Sequence, residues 1–145
     1  MKSASDFPTI NAKIPDGLKE DGSKYRVLLV DDSIFVKKQL QQMLLSQDYE
    51  VVDTAADGEE AVAKYKQHYP NIDLVTMDIT MPKMDGLTAL EQIIEFDRSA
   101  KVVMISALGK EELVKKALLL GARNFIIKPL DRVKVLERLA SVVKR

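Results

Sequence analysis

Short apolar runs alternate with amphipathic segments from Tyr25 to the end of the chain. Between the runs, apolar residues recur at spacings of three and four, which is the spacing of one helix face. Strands that are apolar at almost every position are typical of a parallel sheet that helices cover on both sides. The five predicted strands are RVLLVDD, EVVDTAA, DLVTMD, KVVMIS and NFIIK, in chain order.

This alternation predicts an α/β fold, a doubly wound five-stranded parallel sheet in the order 2-1-3-4-5 with five helices. Right-handed crossovers leave few other topologies for five consecutive strand–helix units. The second strand is more polar than the others and is therefore expected nearer an edge of the sheet. Gly121 lies where the glycine that ends a helix is expected. We expect no second domain after the fifth helix.

Residues 1–24 have a different pattern. They mix prolines and glycines with charged residues and show no sustained period, which indicates an arm attached to a domain of residues 25–145. A flexible tail and a docked arm both remain open. The residues spaced so that the arm could dock are Phe7, Ile10, Ile14 and Leu18.

The composition is that of one globular domain of 145 residues with a formal net charge of zero. This charge favours neither nucleic acid nor an anionic membrane as a partner. The chain has no cysteine, which excludes disulfides and thiolate zinc sites. It also shows no signal-like apolar segment and no membrane-length apolar run, so we expect a cytoplasmic protein. The single histidine, His68, is expected on the surface and not as a metal ligand.

Polar residues stand at four of the predicted strand ends. Asp31 and Asp32 end the first strand, Asp78 the third, Ser106 the fourth and Lys128 the fifth. In a parallel doubly wound sheet all carboxyl ends lie along one edge, where ligands bind. The first and third strands are neighbours in the predicted order, so the three carboxylates are expected to converge.

Three close carboxylates repel one another, and a bound cation relieves the repulsion. Oxygen ligands suit Mg²⁺, and an adjacent lysine adds a fixed positive charge, so the cluster is suited to a phosphoryl group. An ionised aspartate such as Asp78 can be the nucleophile and form an aspartyl phosphate. Ser106 would then donate a hydrogen bond to a phosphoryl oxygen. Taken singly, the aspartates are better explained as helix caps or turn residues, Ser106 as a strand-end hydroxyl and Lys128 as a solvated charge, but their coincidence at one edge favours a site.

Four motifs carry a family resemblance: LLVDDS, MDITMPKMDG, ISAL and IIKPL, in this order along the chain. From Tyr25 to Arg145 the sequence resembles the receiver domains of two-component response regulators, most closely the single-domain chemotaxis regulators of the CheY type. The resemblance implies the flavodoxin-like fold of these domains and a signalling role without enzymatic turnover.

The resemblance also implies roles for the residues at the site. Asp78 is similar to the phosphoacceptor, and Lys128 to the lysine that contacts the phosphoryl group, with a Lys128–Pro129 bond that is commonly cis in the family. Asp32 resembles the main acid that binds Mg²⁺, and Asp31 a ligand that binds it directly or through water. The backbone carbonyl of Thr80 matches a further Mg²⁺ ligand.

Two more residues match the switch of the family. Ser106 corresponds to the switch hydroxyl, and Phe125 stands at the switch aromatic position, where tyrosine is frequent. The resemblance implies that Phe125 moves inward when Ser106 is drawn to the phosphate. A plain core position explains Phe125 equally well.

The partners implied by the resemblance are a histidine kinase of CheA type, the flagellar motor switch protein and a dedicated phosphatase, with the chain itself a monomer. Partners of the family bind the face of the fourth helix, fifth strand and fifth helix, to which Lys110 could contribute. Two alternatives remain: a stand-alone receiver that serves as a relay intermediate or phosphate sink, and an aspartyl-phosphate phosphatase. The second is disfavoured because such enzymes need an acid where this chain has Thr80.

Overall fold

The structure of the protein, a computed structural model, describes residues 14–145. The docking expected of Phe7 and Ile10 lies outside the described residues. Among residues 14–145, no helix is both long enough and apolar enough to cross a membrane.

Five strands and five helices alternate in the order β1 (Arg26–Val30), α1 (Ile34–Ser46), β2 (Glu50–Ala55), α2 (Gly58–His68), β3 (Leu74–Met77), α3 (Gly86–Phe96), β4 (Val102–Ser106), α4 (Glu111–Leu119), β5 (Asn124–Ile127) and α5 (Arg132–Val143).

The strands form one parallel sheet in the order β2-β1-β3-β4-β5, which confirms the predicted topology. The more polar β2 lies at an edge, as its sequence indicated. In the centre of the sheet Leu28 pairs with Val75, and Val75 pairs with Val102.

Both faces of the sheet are buried, because successive strand residues point to opposite sides. Leu28 and Val30 belong to a core cluster with residues of α2, α3 and α4, whereas Val27 and Leu29 belong to a second cluster with residues of α1 and α5. All four side chains are at most 1% exposed. This two-sided burial is the reason that the central strands are apolar at nearly every position.

Most helices begin at a polar cap. The side chains of Ser33, Asp57, Asp85 and Asp131 each accept a hydrogen bond from a backbone N–H three residues further on, at the starts of α1, α2, α3 and α5. Such caps satisfy amides that have no partner within the helix. Gly121 follows the end of α4 with a φ of 115°, which confirms the predicted helix-ending glycine.

Residues 14–24 contact the side of the sheet where the amino-terminal ends of the strands lie. The Gly17 N–H donates to the Gln47 carbonyl at 2.7 Å, and a Cβ at Gly17 would lie 2.2 Å from the Tyr49 nitrogen. The Asp16 carboxylate is buried and lies 3.0 Å from the Lys144 Nζ, just after α5. The described part of the arm is therefore packed against the domain.

Candidate functional site

Asp78 directly follows β3, and the sheet holds it beside the end of β1. Its N–H donates to the Val30 carbonyl at 2.9 Å, while the N–H of Asp31 donates to the Ala55 carbonyl at 3.1 Å. These hydrogen bonds continue the parallel pairing of β1 with its two neighbours. Asp31 and Asp78 are thus brought together by backbone register, although 46 intervening residues separate them in the sequence.

Three carboxylates converge at this edge. One oxygen each from Asp31, Asp32 and Asp78 lies within 4.8 Å of the others. Asp31 and Asp78 are 1% and 6% exposed, whereas Asp32 is exposed. The Ser33 N–H donates to Oδ1 of Asp31 at 2.9 Å, which fixes the orientation of that carboxylate. The cluster combines two buried acids with one that solvent can reach.

Lys128 reaches the cluster from the end of β5. Its Nζ lies 3.0 Å from Oδ2 of Asp31 and 3.7 Å from Oδ1 of Asp78. The Lys128 backbone is held by its N–H, which donates to the Ser106 carbonyl at 2.8 Å, and the Lys128–Pro129 bond is cis. In this state the lysine pairs more closely with Asp31 than with Asp78.

The surroundings of the Asp78 carboxyl disfavour its ionised form. Burial and the nearby Asp31 charge raise its pKa from 3.8 to about 6, against the opposing effects of Lys128 and of the Ile79 N–H, which donates to Oδ1 at 2.8 Å. Removing water and adding a like charge both disfavour the ionised form. A cation bound among the three carboxylates would remove most of this repulsion.

The two predicted switch residues are buried. Ser106 is 1% exposed, and its Oγ accepts a hydrogen bond from the Leu108 N–H at 3.0 Å. Phe125 is 7% exposed and packs in the core cluster on the α2, α3 and α4 side. Its carbonyl accepts from Nη1 of Arg138 at 2.8 Å. Phe125 is therefore buried in the core, which is compatible both with a switch residue and with a plain core residue.

Thr80 lies on the loop of residues 79–85 that joins β3 to α3, and its side chain is exposed. The base of this loop is closed by the Gly86 N–H, which donates to the Ile79 carbonyl at 2.7 Å. A Cβ at Gly86 would lie 1.9 Å from the Asp78 carbonyl, so no other residue fits there. The pattern of apolar residues does not indicate this role of Gly86, although the MDG motif, with its capping Asp85, carries a signal for it.

The single histidine was expected on the surface but is only partly exposed. His68 is half-buried, and its Nε2 lies 2.9 Å from Oδ2 of Asp53 on β2. Nζ of Lys64 lies 3.1 Å from Oδ1 of the same carboxylate. Burial raises the pKa of Asp53, but the hydrogen bonds from His68 and Lys64 outweigh it and hold the pKa below its usual value. The histidine ties α2 to the edge strand.

Comparison with known proteins now identifies the class. Residues 27–140 match the response regulator receiver domain, so the chain belongs to this family of signalling proteins. It is 69% identical to the chemotaxis protein CheY of Treponema pallidum over 144 residues, which cover 99% of this chain and 100% of that protein. The chemotaxis protein CheY of Bacillus subtilis is 47% identical over 78% of this chain and 92% of its own length.

A solved structure shares the fold closely. A chain in the CheX–CheY–BeF3–Mg²⁺ complex from Borrelia burgdorferi is 62% identical, with a TM-score of 0.89, and the match covers 90% of this chain and 98% of that one. These similarities confirm the predicted family and fold. The chain is a receiver domain of the CheY type.

Proposed function

We propose that this protein is a stand-alone response regulator of chemotaxis, in which phosphorylation of Asp78 changes binding to a protein partner. The observation that carries the proposal is the burial of Asp78 between two further carboxylates and Lys128 at the carboxyl edge of the sheet. The similarity to chemotaxis proteins named CheY supports a role in chemotaxis. The proposal includes that the protein acts in a two-component pathway in the cytoplasm.

The donor set fits Mg²⁺. Asp31, Asp32 and Asp78, whose carboxylate oxygens lie within 4.8 Å of one another, and the Thr80 carbonyl would hold the ion. They offer only oxygen ligands, which this cation prefers. The excess negative charge that raises the pKa of Asp78 is what a divalent cation would neutralise. When bound, Mg²⁺ would lower the electrostatic repulsion between the carboxylates and an incoming phosphoryl group.

Asp78, Lys128 and Ser106 then have different roles in phosphoryl transfer. The Asp78 carboxylate attacks the phosphorus, and an Asp78 oxygen–phosphorus bond forms as the bond from phosphorus to the imidazole nitrogen of the donor histidine breaks. The bonding pair returns to that imidazole. Lys128 leaves Asp31 for the phosphoryl oxygens, and the Ser106 hydroxyl donates to another of these oxygens. The chain accepts a group and does not turn over a substrate.

The proposed result of phosphorylation is a change in the surface formed by α4, β5 and α5, which a partner protein would bind. When the Ser106 hydroxyl turns toward the phosphoryl group, it gives up its hydrogen bond with the Leu108 N–H, which loosens the start of the segment that leads to α4. The face of α4, β5 and α5 carries exposed apolar side chains that a partner would cover, among them Leu119 and Ile127. Phe125, which lies on β5 and packs in the core cluster that includes Ala117 of α4, would carry the change from the site to this face.

The proposal includes three partners, two of them implied by the family resemblance of the motifs. A CheA-type histidine kinase would donate the phosphoryl group, and the flagellar motor switch protein would bind the phosphorylated form. Because the similar Borrelia protein forms a complex with CheX, BeF3 and Mg²⁺, a CheX-type partner that removes the phosphoryl group is included in the proposal.

Incorporation of phosphate from acetyl phosphate, followed by intact mass, tests the proposal. We expect one phosphoryl adduct in the presence of Mg²⁺, none without it and none in Asp78→Asn. Asp131→Asn, at the exposed cap of α5, is the matched control and should be phosphorylated normally. Absence of an adduct in the wild-type protein, together with failure to bind beryllofluoride, would contradict the proposal.

The relay alternative needs a second measurement. A motor effector should bind a motor switch peptide more tightly after beryllofluoride is added. If kinase-dependent phosphorylation of Asp78 occurs but beryllofluoride leaves peptide binding unchanged, the protein is better described as a relay intermediate or phosphate sink.

A further inference from the structure

The start of α2 contacts the loop of residues 79–85, which follows Asp78. Gly58, the first residue of α2, donates its N–H to the Met84 carbonyl at 2.9 Å. A Cβ at Gly58 would lie 2.3 Å from that carbonyl oxygen and 2.8 Å from the Met84 carbonyl carbon. Contacts below 3.0 Å with backbone atoms are relieved only if the backbone moves. At this point a helix and a loop touch backbone to backbone, without an intervening side chain.

The contact falls on a loop with little freedom of its own. Lys83, next to Met84, has a φ of 68°, a left-handed conformation that a lysine seldom adopts. The Met84 N–H donates to the Pro82 carbonyl at 2.7 Å, and Nζ of Lys83 lies 3.9 Å from Oδ2 of Asp57, the residue before Gly58. Because Lys83 is largely exposed, this ion pair contributes little, and the backbone contact supplies most of the restraint.

The other end of the same loop is fixed at the phosphorylation site. Gly86 closes the base of the loop against the carbonyls of Asp78 and Ile79. Ile79 and Met81 are buried in the core and hold the loop from inside. Thr80, whose carbonyl is the proposed Mg²⁺ ligand, lies between them. Thr80 therefore lies on a loop that is held by the core on one side and by Gly58, through Met84, on the other.

We infer that Gly58 is a positioning residue for the metal and phosphoryl site: its lack of a side chain lets α2 hold the 79–85 loop where the Thr80 carbonyl and Asp78 face a common cation. This inference rests on the proposed function. Gly58 touches neither the cation nor the phosphoryl group, and it acts through the loop alone. A ligand carbonyl held by neighbouring contacts binds its metal more tightly than one that must be ordered on binding.

The test compares two glycines with the same steric problem at opposite edges of the sheet. Gly58→Ala forces a Cβ against the Met84 backbone, and Gly17→Ala forces one against the Tyr49 and Gln47 backbone, far from the site. Titration with MgCl2 in a calorimeter should show at least tenfold weaker binding for Gly58→Ala and a change below twofold for Gly17→Ala, even if both variants melt earlier. Equal Mg²⁺ affinity in folded Gly58→Ala and the wild type would overturn the inference.

A measurement on the wild-type protein covers the case in which Gly58→Ala does not fold. If the Gly58–Met84 contact and the cation site are coupled, Mg²⁺ must suppress opening of the hydrogen bond from the Gly58 N–H to the Met84 carbonyl, because coupling is reciprocal. Amide hydrogen exchange of Gly58 should slow at least threefold more, on adding saturating Mg²⁺, than exchange of Gly17, whose N–H donates to Gln47. Equal slowing of both amides would mean global stabilisation only and would overturn the inference.

The same titration separates this inference from the proposed function. A wild-type protein that binds no Mg²⁺ overturns both. A wild-type protein that binds Mg²⁺ and is phosphorylated on Asp78, with Gly58→Ala behaving identically, leaves the proposed function standing and removes only the role of Gly58.

Discussion

At the scale of single residues, Asp78 is costly to keep ionised while no cation is bound. Its oxygen lies 3.7 Å from Lys128, but Asp31 holds that lysine more closely, at 3.0 Å. The result is a buried carboxyl with a pKa of about 6, raised by burial and by the Asp31 charge. Sites that must bind a cation commonly contain such charge repulsion, because binding relieves it.

This repulsion predicts a pH-dependent effect of Asp78→Asn on stability in metal-free buffer. The raised pKa means that the protonated form stabilises the fold below about pH 4 and that this contribution is lost as pH rises through about 6. Above that range the ionised carboxylate costs the wild type about 1–3 kcal/mol, a cost that asparagine does not have. Urea unfolding with a chelator should find Asp78→Asn more stable near pH 7.5, by an amount that vanishes near pH 4.

Asp131→Asn is again the control, since asparagine caps a helix about as well as aspartate and Asp131 is exposed. It should leave stability nearly unchanged at both pH values. A gain for Asp78→Asn that is the same at pH 4 and pH 7.5 would contradict the electrostatic explanation.

At the scale of secondary structure elements, the end of α4 is controlled by one backbone conformation. Gly121 has a φ of 115°, and its N–H donates to the Leu118 carbonyl. The side chain of Ile94 on α3 packs over it, 3.0 Å from the place of a Cβ. The glycine therefore ends α4, and it also lets α3 and α4 approach each other.

Gly121→Ala should lower the free energy of unfolding by about 1–2 kcal/mol through strain at positive φ, and by a further amount because its Cβ would crowd Ile94. Gly22→Ala is the matched control, since Gly22 also has a positive φ, of 87°, but a Cβ there would meet nothing within 4 Å. Chemical denaturation of both variants measures the difference. If Gly22→Ala costs as much as Gly121→Ala, the contact with Ile94 contributes nothing.

At the scale of the whole molecule, the two edges of the sheet serve different purposes. The carboxyl edge holds the charged site, and the opposite edge is covered by the described part of the arm. Tyr49 is fully buried beside Gly17, and Lys19 lies 3.6 Å from Asp73, just before β3. The Treponema relative matches over almost the whole of this chain, arm included, whereas the match to the Bacillus relative covers 78% of it.

Deletion of residues 1–24 should therefore reduce stability and leave phosphorylation intact. Loss of the hydrogen bonds of Gly17 and of the cover over Tyr49 should cost about 2 kcal/mol or more. The extent of phosphorylation by acetyl phosphate, measured below the melting temperature, should equal that of the full chain. A motor switch peptide should bind the deletion protein with unchanged affinity; tighter binding would show that the arm shields the output face.

The sequence by itself determined the order of the elements, because local periodicity reports which residues face a core. It also placed Asp31, Asp32, Asp78, Ser106 and Lys128 at strand ends, and parallel topology then required these ends to share one edge. The four motifs identified the family from residues alone, and the match over residues 27–140 confirmed it.

Only the tertiary structure decided how these groups interact. The pairing of Lys128 with Asp31 joins residues 97 positions apart, and the contact of Gly58 with Met84 depends on how closely α2 packs on a loop. The contact of His68 with Asp53 and the docking of Asp16 on Lys144 likewise depend on separate elements meeting. Hydrophobic spacing specifies which side of an element is buried, but distances of a few ångströms between elements depend on the packing of all the side chains between them.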